Sequence, residues 1–195
     1  MLSNIVYVIL WILAILICII EIYALIYLIE YLVAIFVHHQ PPYVATGTNS
    51  QKKLVQYINK NYPNAKNICE VGSGYGRLAR YIGKHTKANV IGLENMPISA
   101  LISKFADLFQ NKSKTIKCDA FEYLKNTDKK FDIAVAYLSP RHATKLFKLK
   151  NKFKVLISLD FEVANQKPTK TINLGPGYTS LNHKKYPHKM FIYEI

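Results

Sequence analysis

Asn67-Ile68-Cys69-Glu70-Val71-Gly72-Ser73-Gly74-Tyr75-Gly76-Arg77-Leu78 decides how the polar part of this 195-residue chain folds. A short apolar run closes on an acid. Three glycines follow at alternate positions, and then a helical pattern begins. Glycines there let the backbone turn sharply and approach a ligand with no Cβ in the way. The N-terminus of the next helix offers N–H groups to an anion. Such a strand–loop–helix unit belongs to an α/β fold.

Outward from this unit the pattern repeats. Apolar runs rich in Ile and Val stand at 67–71, 88–93, 115–118, 132–138 and 154–159. Helical patterns fill 76–84, 97–110, 119–125 and 140–149. Strands alternating with helices predict βαβ units and a parallel sheet. Before them, Ser50 to Tyr62 reads as an amphipathic helix with Ser50 as N-cap and Leu54, Val55 and Ile58 on one side. After Asp160, Thr169–Leu174 and Lys189–Ile195 read as two strands able to pair antiparallel at an edge. Glu94 closes the second strand in Ile91-Gly92-Leu93-Glu94, and Asp119 the third in Ile116-Lys117-Cys118-Asp119. The ends of adjacent parallel strands line one crevice, where an acid can grip both hydroxyls of a ribose. Either acid taken alone is more commonly a solvated strand end or a helix N-cap, and it is their joint placement that points to a ligand.

The rest of the chain is of another kind. Residues 1–51 hold no Lys or Arg and only two acids, Glu21 and Glu30. The other 144 residues carry all 26 basic residues and ten acids, a net charge of +16. From Ile5 to Val37 nearly every residue is apolar or Tyr. A bilayer core needs about 20 such residues in a helix. A spanning helix over roughly Asn4–Tyr27 is expected, its remainder to Val37 lying along the interface or on the polar domain. Tyr23, Tyr27 and Tyr31 share one face, as an aromatic belt or a packing stripe. A cleaved signal peptide is disfavoured by the length of the run and the lack of a basic flank. Basic bias puts the N-terminus outside and the C-terminal domain in the cytoplasm. His38-His39-Gln40-Pro41-Pro42 ends the run, giving an anchor over 1–40 and a domain over 41–195. Cys18, Cys69 and Cys118 form no CxxC spacing, which argues against zinc and thiol exchange. Scattered lysines suit a solvated surface beside an anionic leaflet. With no aromatic–basic motif, nucleic acid is a poor candidate partner. No motif specifies an oligomeric state.

Dinucleotide binding wants G-x-G-x-x-G, but Arg77 stands where the third glycine would fall. The loop instead resembles motif I of the class I S-adenosylmethionine-dependent methyltransferases, E/D-x-G-x-G-x-G. The resemblance covers roughly 64–160. It implies a Rossmann-like seven-strand methyltransferase sheet, mostly parallel with an antiparallel C-terminal pair, and S-adenosyl-L-methionine as cofactor. By that resemblance Glu70 and the loop Gly72, Ser73, Gly74, Tyr75 and Gly76 hold the methionine end. Glu94 holds the ribose, and Asp119 with Ala120 and Phe121 reads the adenine.

A narrower likeness rests on the apolar helix, on Pro42-Tyr43-Val44-Ala45-Thr46, and on Ala136-Tyr137-Leu138-Ser139-Pro140 after the fourth strand. These resemble the membrane-anchored protein-lysine methyltransferases related to those acting on ATP synthase subunit c and the adenine nucleotide translocase. Ala45 replaces that family's proline, and Glu94-Asn95-Met96-Pro97 places the asparagine one position early. The likeness implies a lysine acceptor on a membrane protein, with Tyr43 and Thr46 capping the cofactor. Tyr137 is the candidate orienting residue and Ser139 a candidate hydrogen-bond acceptor for the nucleophile. The same four residues, Tyr137 to Pro140, equally read as strand end, turn and helix N-cap. A lipid or quinone-like acceptor, or cofactor binding without catalysis, are the other readings.

Overall fold

The computed structural model describes residues 2–36, 45–176 and 187–195. The chain forms two compact units, Met1–Tyr43 and Val44–Ile195. The first is one helix, α1 (Leu2–Phe36), apolar on all sides, with most of its described large side chains exposed. Its stretch Ile5–Val33 is long and apolar enough to cross a membrane. The His-Pro segment and Tyr43 lie outside the described residues.

The second unit opens with α2 (Thr48–Asn61). Five parallel strands follow: β1 (Asn67–Val71), β2 (Asn89–Glu94), β3 (Ser113–Lys117), β4 (Phe131–Ala136) and β5 (Phe153–Leu159). Between them run α3 (Arg77–His85), α4 (Pro97–Asp107), α5 (Ala120–Asn126) and α6 (Pro140–Phe147). The strands β6 (Lys170–Gly175) and β7 (His188–Glu194) close the sheet. Among the described residues the order is β3-β2-β1-β4-β5-β7-β6, with β7 antiparallel to both neighbours. This is the expected Rossmann-like sheet with its antiparallel final pair. The edge strands are β3 and β6, and β6 carries a register shift between Asn173 and Gly175.

Alternation along the strands builds two cores. Ile68, Val90, Ile133, Val155, Ile157 and Ile192 meet Leu54, Val55 and Ile58 of α2 and Leu78 and Ile82 of α3 on one face. Cys69, Val71, Ala134, Leu156 and Phe191 meet Leu124 of α5 and Leu146 of α6 on the other. Leu54 and Leu146 are both fully buried, and truncating either to Ala would cost about 2–5 kcal/mol.

The structure corrects several expected boundaries. Ser50 is not the N-cap of α2. Gly47 holds that position, and Ser50 is buried within the first turn. The Asn49 side chain donates to the Leu174 carbonyl at 2.9 Å, which ties the turn to β6 and starts the helix earlier. α4 ends at Asp107, not near 110. The Asp107 carboxylate accepts from Thr115 N at 2.6 Å and Ser113 Oγ at 2.9 Å, so the chain leaves the helix there and β3 begins at Ser113.

Candidate functional site

The strand order reverses between β1 and β4. The crevice of such a sheet opens at this switch point, beyond the C-terminal strand ends. The site residues expected within the sheet lie at those ends, whereas Thr46 precedes α2 and Tyr43 falls outside the described residues. Glu70 is in β1, and Gly72 to Gly76 form the loop after it. Glu94 ends β2, Asp119 to Phe121 follow β3, and Tyr137 and Ser139 follow β4.

The glycine loop is pinned from two sides. Gly72 N and Ser73 N both donate to the Leu93 carbonyl, at 2.9 and 3.1 Å. Gly74 N donates to Glu94 Oε2 at 2.6 Å, and Met96 N to Glu94 Oε1 at 2.7 Å. Buried Glu94 thus fixes both the loop and the start of α4. Gly72, Gly74 and Gly76 all have φ in the left-handed region. Gly76 is the most constrained, because a Cβ there would lie 2.0 Å from Ser103 Oγ. On β2, Gly92 leaves room for the Ser73 side chain, which a Cβ would approach to 2.7 Å.

Glu70 is buried on the α3 side of the sheet. Its carboxyl accepts the Ala79 backbone N–H in the first turn of α3, while Oε2 has no hydrogen-bond partner among the described residues. Burial pushes its pKa up to about 8, with Glu94 adding to the rise and the Ala79 N–H and Arg80 opposing it. Ser73 Oγ is a second buried polar atom without a partner among the described residues. Buried groups left unsatisfied beside a pinned loop favour a polar ligand that supplies the missing bonds. The expected offer of helix N–H groups to an anion is therefore partly met from within, by Glu70 itself.

Asp119 caps α5, its Oδ1 accepting from Phe121 N at 2.8 Å and Glu122 N at 3.1 Å. The cap aligns the Ala120 and Phe121 backbone at the mouth of β3. Tyr137 and Ser139 engage different neighbours. Tyr137 packs on the core shared with α2 and α3, and its ring stacks on Phe161 with centroids 6.2 Å apart. Ser139 is the N-cap residue of α6, and its Oγ lies 2.8 Å from His142 Nδ1. The His142 ring stacks on Phe121 at 6.0 Å. Burial, then Lys145 and Arg141, hold that imidazole below its ordinary pKa, so it is neutral at pH 7.

Two features were missed from sequence. His142 is one. The other is Arg80, whose Nη2 donates to the Tyr75 carbonyl at 2.7 Å. Its Nη1 donates to Ser103 Oγ at 3.3 Å and lies 3.7 Å from Asp107 Oδ1. Ser103 Oγ meets Thr115 Oγ1 at 2.6 Å. This chain of bonds locks the loop to α4 and β3. Its members are scattered from 75 to 115 and form no local pattern.

No family model matches the chain, and no curated protein matches it significantly. Solved structures do. The chain is similar to an RNA methyltransferase from Salinibacter ruber in complex with S-adenosyl-L-homocysteine, with TM-score 0.61 and 16% identity, over 78% of this chain and 94% of that one. It is similar to precorrin 8W decarboxylase from Methanobacterium thermoautotrophicum, with TM-score 0.55 and 14% identity over 78% and 93%. It is also similar to magnesium protoporphyrin IX methyltransferase from Synechocystis with bound S-adenosyl-homocysteine, with TM-score 0.53 and 12% identity over 73% and 80%. At such identities the likeness establishes the fold, and chemistry has to come from the site.

Proposed function

We propose that the chain is an S-adenosylmethionine-dependent methyltransferase, held at a membrane by α1, that N-methylates a lysine of a membrane-associated protein. One observation carries the cofactor: Glu70, Glu94 and Asp119 stand at three neighbouring strand ends around a pinned glycine loop with two unsatisfied buried polar atoms. Two of the similar structures hold the demethylated cofactor, which supports the same reading.

The donor set fits that ligand. Glu70 and the loop Gly72–Gly76 would hold its amino-acid end, since Glu70 and Ser73 each have unused hydrogen-bonding capacity. Glu94 would hold the ribose, and Asp119, Ala120 and Phe121 the adenine. When bound, the cofactor supplies an electrophilic methyl group on a good sulfonium leaving group. The remaining work is alignment and exclusion of water. Tyr137, fixed against Phe161, would orient the acceptor amine. A lysine enters as ammonium, with a reference pKa of about 10.4, and must lose a proton. Neutral His142, joined to Ser139 Oγ, would take it.

The membrane part rests on α1. Its length and composition support a single span, with the domain on the cytoplasmic side. Protease protection of a C-terminal tag in sealed right-side-out vesicles tests that side; digestion from outside refutes it. The apolar span also admits a lipid or quinone-like acceptor, because it brings the domain to the bilayer. Membranes incubated with methyl-labelled cofactor separate the two. Label in a protein band supports the lysine acceptor, and label extracting into organic solvent supports the small molecule. No label despite measured cofactor binding refutes catalysis. Glu94→Ala should lower cofactor affinity by more than about tenfold, the loss of a charged hydrogen-bonding partner. Unchanged calorimetric binding in that variant overturns the site.

A further inference from the structure

Helix α4 is built inside out. Its buried side chains are Ser99, Ala100 and Ser103, all small; Ser103 Oγ meets Thr115 Oγ1 of β3, and Ser113 Oγ donates to Asp107 at the end of the helix. Its large apolar side chains face solvent. Leu101 is 67% exposed and Phe105 65%, and Leu108 and Phe109 in the following turn are 75% and 79% exposed. Ile102 joins them, and the Phe105 and Phe109 rings touch edge to face at 5.7 Å. Positions 101, 102, 105, 108 and 109 form one helical stripe. Lys104 on the helix, with Lys112 and Lys114 just beyond it, is exposed.

An apolar stripe ringed by lysines is the surface of an interfacial helix. We propose that the outer face of α4 and its following turn seats on an anionic membrane surface. This rests on the anchoring of α1 in that membrane. Charge selects the occupant. A second copy would bring together two domains of net +16, whereas anionic headgroups attract each nearby lysine. The tether agrees: Phe36 and Ala45 are nine residues apart, at most about 30 Å of chain. The consequence for the site is direct. Met96, the N-cap of α4, is bonded to Glu94, so the seated helix is the one that begins at the crevice.

The test uses the full chain in nanodiscs of phosphatidylcholine with or without phosphatidylserine. A single indole is placed by Trp11→Phe with Phe105→Trp, and separately by Trp11→Phe with Lys125→Trp on exposed α5. Brominated lipids should quench the indole at 105 and not that at 125. Quenching should fall without phosphatidylserine, and adding Leu101→Asp and Leu108→Asp should abolish it with the melting temperature unchanged. Equal quenching at both positions, in a chain that resists alkaline carbonate extraction, overturns the seating and leaves the anchor intact. Release by carbonate overturns the anchor and this proposal with it. Concentration-dependent pairing that shields the 105 position without lipid overturns it in favour of a second copy.

Discussion

Glu70 and Asp132 sit on neighbouring strands, β1 and β4, at opposite ends of the sheet, and they are treated in opposite ways. Both oxygens of Asp132 are engaged. Its carboxylate accepts Lys66 N at 2.8 Å, Asn67 N at 3.1 Å and Lys154 Nζ at 2.8 Å. Burial pushes its pKa up, but the Lys154 ammonium and the two N–H groups outweigh burial and hold it below the ordinary value. Glu70 is buried with one oxygen unpartnered, and its pKa is raised to about 8. One end of the sheet is finished by the chain's own hydrogen bonds. The other keeps unspent bonding capacity, as a binding site does.

The comparison breaks most severely at Gly76. Gly76→Val places a Cβ against Ser103 at positive φ, and should destabilise the domain by about 3 kcal/mol or more and abolish cofactor binding. Denaturant melts and calorimetry read both. Glu70→Gln comes next. A raised folded pKa means the neutral carboxyl contributes stability in full below its ordinary value of 4.5, lost as pH rises through about 8. The variant should nearly match the parent at pH 5 and exceed it at pH 9 by on the order of 4 kcal/mol in thermal or urea melts. A cationic ligand beside Glu70 favours its carboxylate, so binding at pH 7 should release up to about one proton in the parent and none in the variant. Calorimetry in buffers of different ionisation enthalpy measures this.

Asp132→Asn works in the other direction. A lowered carboxylate pKa contributes stability above its ordinary value of 3.8, lost as pH falls through the folded value. The variant should be about 1 kcal/mol less stable at pH 7, converge with the parent under strong acid, and bind cofactor unchanged. Lys154→Ala should do least, about 0.5 kcal/mol, because Lys154 is exposed and salt screens the pair. A larger loss in 1 M salt than in dilute buffer would contradict that account.

Much of this design is legible in the chain. Ile and Val runs mark β1, β2, β4 and β5 because a parallel sheet buries both faces. Glu70, Glu94 and Asp119 are visible because each sits next to a strand end. The Arg80 network is not, because a guanidinium bridging Tyr75, Ser103 and Asp107 joins residues that only the folded sheet brings together. Nor is the direction of α4. Apolar periodicity over 97–110 finds a helix but not which side faces the sheet, and here Ser113 and Thr115 make the sheet polar where α4 covers it. His142 lay three residues beyond Ser139, inside a segment that reads as an ordinary helix start.

The rims of the sheet carry a last consequence. β3 shows Lys114 and Lys117 to solvent, while β6 shows Lys170 and breaks register near its end. Ammonium groups and a kink on the outermost strands deter strand addition by a neighbouring molecule. Held at a membrane by α1, as proposed, the chain would meet its own copies often. These guarded borders let such copies crowd together without their sheets fusing into fibrils.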